Sequence, residues 1–325
     1  MKTLAFALAF IVASITGAAA QSSATYGAEC AHDVAPVPAF SCADGIVVPI
    51  TVNGVTPETY APGQSCDRPS LLPPRPGQRT DGQCVPYSRA LVLRDDDVAQ
   101  ISAFCRRTLI RAADSPLYDE IDIIAHSVRN GRTCWFQASL PGEPAPDRGV
   151  KGSNVPSPTD VAGQPPGAEP TSFWNDPQAT AALSCVSCHD SGPYMYSPYI
   201  AQVHAVPADP FGLYRNDVGE AFKSWPIPHG ITTEGNTCTG CHRIGNMNSC
   251  HVAMFQSIGQ ARIRELDDWG HQFPQSHWMP PGDLKSEAQW NQAYANSVAQ
   301  LAVCCEKPSL PQCRIVNYSD APLPH

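Results

Sequence analysis

Apolar residues in the first half of the chain are arranged in runs typical of β-strands. Residues 47–52 are mostly β-branched and lie between two glycine-containing turns, which predicts a short strand. Residues 120–128 form a second run, and Asn130-Gly131 separates it from a third run at residues 133–136. Because Asn-Gly between two apolar runs favours a tight turn, this stretch predicts a β-hairpin.

Helical patterns occur at other positions. The acidic residues 95–97 predict a helix start, with Val98, Ile101 and Cys105 following on one face. Asp176-Pro177 is a helix-start pair and predicts a helix over residues 178–183.

Further helices are expected after residue 250. Residues 252–266 have helical character. A final helix is expected to begin near Ser286, because its large side chains recur at the spacing of one buried helix face. These side chains are Trp290, Tyr294, Val298, Leu301 and Cys305.

The first twenty residues have the pattern of a secretory signal peptide. Lys2 precedes an apolar run over residues 4–15, and small residues lead to Ala20. We therefore expect cleavage near Ala20 and a periplasmic or extracellular mature protein. No later apolar run reaches the roughly 18 residues of a membrane span, so no transmembrane anchor is expected.

Two pentapeptides carry the strongest chemical signal. Residues 185–189 read Cys-Val-Ser-Cys-His, and residues 238–242 read Cys-Thr-Gly-Cys-His. C-x-x-C-H is the attachment signature of c-type haem, in which both thiols bond to the porphyrin and the histidine binds the iron. The sequence thus predicts two covalent haem c groups. Their expected attachment residues are Cys185, Cys188, Cys238 and Cys241, with His189 and His242 as proximal iron ligands.

The same cysteines allow three competing interpretations. A four-cysteine zinc site does not require histidine after both pairs, and the gap between the pairs is long for a zinc ribbon. A thioredoxin-like redox motif is expected once, opening a helix after a strand. Plain disulfides are the third interpretation.

The remaining ten of the 14 cysteines are an even number, which in an exported chain predicts up to five disulfides. Six lie before residue 140 and four after residue 245, so each group can pair internally. A bond between Cys66 and Cys84 would tie down a proline-rich loop. Cys105 and Cys134 are a plausible link between the expected helix and the hairpin.

Residues 238–305 resemble a class I cytochrome c domain, since Met279-Pro280-Pro281 follows the second C-x-x-C-H at a suitable distance. The resemblance implies a first helix bearing the motif, a C-terminal helix packed across it, and Met279 as distal ligand of the second haem. His277 is the competing ligand. A thioether ligand of this kind raises the reduction potential.

The first motif lacks a Met-Pro-Pro loop before the second, so the two haems are expected to share one domain. His204 is the preferred distal ligand of the first haem. The alternatives are His229, His251, His271, Met195 and an open sixth position.

The expected architecture is α+β overall. Residues 1–20 are the signal peptide, and residues 21–140 form a small disulfide-stapled α+β domain. Residues 141–172 are a Pro/Gly-rich linker or strap. Residues 173–325 are expected to form a mostly α-helical dihaem cytochrome c domain.

Net charge bears on the partners. Removing the signal peptide takes away Lys2, which leaves 20 basic against 30 acidic side chains and a net charge of −10. This excludes nucleic acid as a natural partner and favours basic or neutral redox proteins. The predicted function is electron transfer by an exported dihaem c-type cytochrome rather than an enzyme. The alternative is a peroxidase-like oxidoreductase in which one haem has an open coordination position.

Overall fold

The structure is a computed structural model that describes residues 21–70, 83–142, 145–160, 170–204, 207, 211–257 and 287–320. Within these ranges the strands are, in chain order, β1 (Ile46–Val47), β2 (Arg89–Asp95), β3 (Ala99–Arg106), β4 (Leu117–Tyr118), β5 (Glu120–Ser127), β6 (Thr133–Ser139), β7 (Val150–Lys151), β8 (His229–Thr233) and β9 (Cys313–Asn317). The α-helices are α1 (Ser23–Asp33), α2 (Pro170–Phe173), α3 (Pro177–Ala182), α4 (Met254–Ser257) and α5 (Glu287–Glu306).

A five-stranded antiparallel sheet, ordered β1-β2-β3-β5-β6, lies at the centre of the described structure. Side chains alternate between its two faces. The helix face carries Cys105, Ile123 and Cys134, and α1 is bonded to it by the Cys30–Cys134 disulfide. The opposite face, here called the motif face, carries Phe104, Asp122 and Trp135 among others.

The helix predicted after residues 95–97 is wrong, because this stretch is the β2–β3 hairpin. Asp96 Oδ1 accepts hydrogen bonds from the backbone N–H groups of Val98 and Ala99, both at 2.9 Å, and so closes a turn instead of capping a helix. The apolar residues that follow have a period of two, with Ala99, Ile101, Ala103 and Cys105 all buried.

The hairpin predicted around Asn130-Gly131 is confirmed. Strands β5 and β6 pair in register across it, and Gly131 adopts a φ of 75°, which favours glycine. The strand predicted at residues 47–52 is shorter than expected: β1 ends at Val47, and Val52 then bridges to Val55.

Five disulfides confirm the predicted count and its division between the two ends of the chain. The expected Cys66–Cys84 bond is present. The Cys105–Cys134 link is wrong: both cysteines lie on the helix face, but Cys105 bonds to Cys42 and Cys134 to Cys30. The N-terminal segment crosses this face, and no sequence spacing shows that crossing.

The strap region also packs against the N-terminal part. Strand β7 pairs with β4, and Val155 bridges to Phe40 and is fully buried. Thr159 Oγ1 accepts from the backbone N–H of Val37 at 2.8 Å. Residues 145–160 are therefore part of the packed structure.

The prediction of a mostly α-helical domain over residues 173–325 is wrong. The helix at residues 178–183 is confirmed as α3, capped by Asp176, and the final helix is confirmed as α5 with Trp290, Val298 and Leu301 buried. However, β8 and β9 form a two-stranded sheet against α5, and the described chain as a whole is rich in sheet. β-branched residues occupy both strands, which explains their pairing.

Crossing a bilayer takes a helix that is both long and apolar. Within the described ranges, none of the helices combines the two properties.

Candidate cofactor-attachment site

Four cysteines remain unpaired, and they are the four that belong to the two C-x-x-C-H motifs: Cys185, Cys188, Cys238 and Cys241. The other ten are joined in disulfides. The interpretation of the motif cysteines as plain disulfides therefore has no support in the structure.

Both motifs adopt the same turn. In the first, the N–H groups of Cys188 and His189 donate to the carbonyl of Cys185 at 3.1 and 2.9 Å. In the second, Cys241 and His242 donate to Cys238 at 3.2 and 2.9 Å. A one-turn geometry brings the first cysteine and the histidine to the same side of the backbone.

The first motif follows α3 directly. Ser184 joins them with a left-handed backbone, φ 53°, which is uncommon for a residue with a side chain. Its carbonyl accepts from the hydroxyl of Ser187 at 2.7 Å, inside the motif. The sharp change of direction turns the motif away from the axis of α3.

His189 is held by a backbone carbonyl. Its Nδ1 lies 2.9 Å from the carbonyl oxygen of Pro193. Because a carbonyl only accepts, Nδ1 carries the proton, and Nε2 is left as the nitrogen able to bind a metal. Burial lowers the pKa of His189 to about 4, so the imidazole is neutral at physiological pH.

The motif face of the sheet packs against this first motif. The indole of Trp135 lies edge-on to the His189 ring, with 5.2 Å between centroids. The Tyr194 hydroxyl lies 2.8 Å from the Gln100 carbonyl of β3 and 3.2 Å from the Ile124 carbonyl of β5. The loop after the motif is therefore bonded to the centre of the sheet.

The first thiol has an unreactive environment. Burial, followed by the negative charge of Asp122, raises the pKa of Cys185 to about 12. Arg106 opposes this effect, and it also forms an ion pair with Glu120 at 2.5 Å. Cys185 is thus a protonated thiol rather than a thiolate nucleophile.

The second motif lies on α5 instead of on the large sheet. Buried Asn236 accepts from the N–H of Cys238 at 3.1 Å and donates to the carbonyl of Ser297 at 3.0 Å. The Ser297 hydroxyl in turn accepts from the N–H of Thr237 at 3.1 Å. Cys241 and His242 themselves are exposed.

Asp190 connects the two motifs. Its fully buried carboxylate accepts from the N–H of Met247 at 2.6 Å and from the N–H and hydroxyl of Ser249. Gly245 packs so closely on Asp190 that an added Cβ would overlap the carboxyl carbon. The residue after the first motif is therefore clamped to the segment just after the second.

The predicted distal ligands have different outcomes. Met279, with its competitor His277, lies outside the described residues, as does His271. His204 is exposed, with a left-handed φ of 47°, at the end of a short 3-10 helix (Ile200–Gln202). Tyr199 and Val203, which flank this helix, belong to the buried cluster that contains Cys66 and Cys84.

Three more candidates for the distal ligand of the first haem lie on elements near the motifs. His229 begins β8, and His251 lies exposed in the π-helical turn Ser249–Ala253. Met195 is half-buried in the loop after the first motif.

The sequence does not reveal the residues that position the first motif. It predicts Trp135 only as part of a strand, and it assigns no role to Tyr194 or Asp190. The one available signal for Asp190 is its position directly after a motif histidine.

No family model matches the chain, and neither a curated protein nor a solved structure matches it. Within the described ranges, no group of three or more His, Cys, Asp or Glu side chains could hold a metal ion. The predicted membership of the dihaem c-type cytochromes, with a class I-like C-terminal part, is therefore wrong. The second motif shows the structural difference. It lies on turns after β8, whereas the resemblance implies a first helix at this position.

Proposed function

We propose that the two pentapeptides bind haem c covalently and that the exported chain transfers electrons between redox proteins. Attachment depends on the local pentapeptide and not on a cytochrome fold, so the corrected resemblance does not bear on it. The observation that carries the proposal is the set of unpaired cysteines: all ten others are in disulfides, and these four are free beside their histidines.

The chemistry of the free motif thiols fits the group. Each thiol would add across a vinyl C=C bond of the porphyrin: the S–H bond breaks, an S–C bond forms, and the hydrogen ends on the other vinyl carbon. This addition needs no oxidant.

His189 is prepared for its role. The Pro193 carbonyl fixes the tautomer and the ring orientation, so Nε2 is the free ligand atom. His242 occupies the same position in the second turn. The bound iron would supply reversible one-electron chemistry, while the protein supplies the two proximal nitrogens and four thioether anchors.

The distal ligands are part of the same proposal. Met279, first named through the resemblance, is proposed for the second haem because a thioether can bind iron, and His204 is proposed for the first. The acidic chain, with a net charge of −10 after removal of Lys2, suits partners with basic or neutral docking faces. Five disulfides support a periplasmic or extracellular location.

Intact-mass analysis tests haem attachment. The full chain, expressed in bacteria with their own haem-attachment machinery, should carry the mass of two haems. Cys185→Ala with Cys188→Ala should carry one, whereas Ser187→Ala inside the same motif should carry two. A wild-type protein without haem, or a count unaffected by loss of both cysteines, overturns the proposal.

A ligand-binding assay tests electron transfer against peroxidase chemistry. The haem-loaded protein should accept and donate electrons while neither haem binds cyanide or turns over peroxide. Rapid peroxide turnover at a high-spin haem would instead establish the enzyme alternative. Met279→Ala should lower the potential of the second haem only.

A further inference from the structure

We propose that the motif face of the five-stranded sheet is the wall of the first haem pocket, and that the indole N–H of Trp135 donates a hydrogen bond to a haem carboxylate there. This inference rests on the proposed attachment of haem at Cys185 and Cys188. It gives the N-terminal sheet a role: positioning the first cofactor and stabilising its negative charge.

The starting observation is an unsatisfied donor. Trp135 is only 3% exposed, and no described residue accepts from its Nε1. Buried N–H groups nearly always have an acceptor, because leaving one without a partner is unfavourable. An acceptor absent from the described protein atoms is therefore expected at this position.

Among the neighbouring indoles, the lack of an acceptor for the N–H group is specific to Trp135. Trp225, which packs on it with 5.8 Å between centroids, donates from Nε1 to the Ala181 carbonyl at 2.8 Å. Trp174, in the same cluster, donates to the Pro156 carbonyl at 3.0 Å. Each of these neighbours has a backbone acceptor.

The position of Trp135 identifies the acceptor. Its ring touches His189, the proposed iron ligand, and so lies beside the first attachment site. Haem carries carboxylates at its periphery, and a charged acceptor in a buried site forms a stronger hydrogen bond than a neutral one. A bound water is the alternative acceptor, and the experiment separates the two.

Trp135→Phe removes the N–H and keeps an aromatic ring, and Trp225→Phe is the matched control from the same cluster. The potential of each haem is measured against pH in both variants. The reduction potential of the first haem should change with pH as its carboxylate ionises. Because the Trp135 N–H favours the ionised carboxylate, removing this donor should raise the apparent pKa of that change by about one unit. The second haem and the Trp225→Phe protein should show no such change.

An NMR measurement covers the case in which Trp135→Phe does not fold. In the reduced wild-type protein, the assigned Trp135 indole proton should follow the same pH midpoint as the first haem's potential. If neither the indole resonance nor the redox profile responds to ionisation of the carboxylate, water is the acceptor and the inference is overturned. Absence of haem at Cys185 would instead overturn the proposed function, and intact mass distinguishes the two failures.

Discussion

The two C-x-x-C-H motifs have the same backbone turn but opposite surroundings. The first lies against the motif face of a five-stranded sheet, with its histidine packed on Trp135 and bonded to Pro193. The second is bonded to a single helix through Asn236 and Ser297, and Cys241 and His242 are exposed. The shared C-x-x-C-H pattern therefore fixes the turn, while the remainder of the chain fixes solvent access.

Because the two motifs have different surroundings, we expect the two proposed haems to have different roles. Packing against the sheet places the first haem in a medium of low dielectric, which disfavours the net positive charge of ferric iron. The protein around the first motif should therefore control the reduction potential of the first haem. The exposed motif is better placed for contact with partner proteins. The Asp190 clamp holds the two motifs in a fixed relation.

Loss of the clamp should have the largest effect. Asp190→Ala leaves the N–H groups of Met247 and Ser249 buried without an acceptor, and should lower the free energy of unfolding by about 3 kcal/mol. Urea denaturation monitored by tryptophan fluorescence measures this. The control is Asp217→Ala, which removes a half-exposed partner of Arg215 and should change stability little. Equal losses in the two variants would contradict a special role for the clamp.

Thiol reactivity should separate the motifs nearly as strongly. In haem-free protein, iodoacetamide should modify exposed Cys241 roughly 100-fold faster than Cys185 at neutral pH, because only thiolate reacts and the pKa of Cys185 is raised to about 12. Peptide mass spectrometry after timed quenching gives both rates. Comparable rates would mean that the first motif is as open as the second.

Close packing between the motifs gives a smaller effect. Gly245→Ala places a Cβ against the carboxyl carbon of Asp190 and should destabilise the protein by about 2 kcal/mol. Gly240→Ala is the control inside the second motif, where the nearest atom to an added Cβ is 3.8 Å away. Thermal unfolding of both variants should show a lower midpoint for Gly245→Ala alone.

The smallest effect is expected at the attachment of the first motif to the sheet. Tyr194→Phe removes the hydroxyl that bonds β3 and should lower the free energy of unfolding by about 1 kcal/mol. In the haem-loaded protein it should alter the spectrum of the first haem and not the second. Tyr196→Phe, which removes a hydroxyl bonded to the Pro207 carbonyl near the surface, is the matched control. A change at the second haem would show that the motifs are not independently anchored.

Local signals in the sequence are sufficient where neighbouring residues decide the structure. Asn130-Gly131 predicts its hairpin because the turn geometry is set by those two residues. Asp176-Pro177 predicts α3 for the same reason. The spacing of Trp290, Val298 and Leu301 predicts α5 because one face of that helix is buried.

Local signals mislead where two structures share the same residue types. Aspartate suits both a helix N-terminus and a hairpin turn, and the pairing of β3 with β2 and β5 decides in favour of the hairpin. The resemblance implies a helix at the second motif, but β8 pairs with β9, far later in the chain, and the motif lies on the turns that follow β8.

Short stretches of sequence are enough to identify the two pentapeptides, the hairpin and the helices α3 and α5, since each depends on residues a few positions apart. The even number of remaining cysteines is likewise visible without the fold. The tertiary structure sets which cysteines pair and which motif packs against the sheet, and it places Trp135, Tyr194 and Asp190 around the first one. These depend on which distant strands meet, and on the sheet face that the chain crosses, so no short stretch of sequence encodes them. They are also what makes two occurrences of one motif different sites.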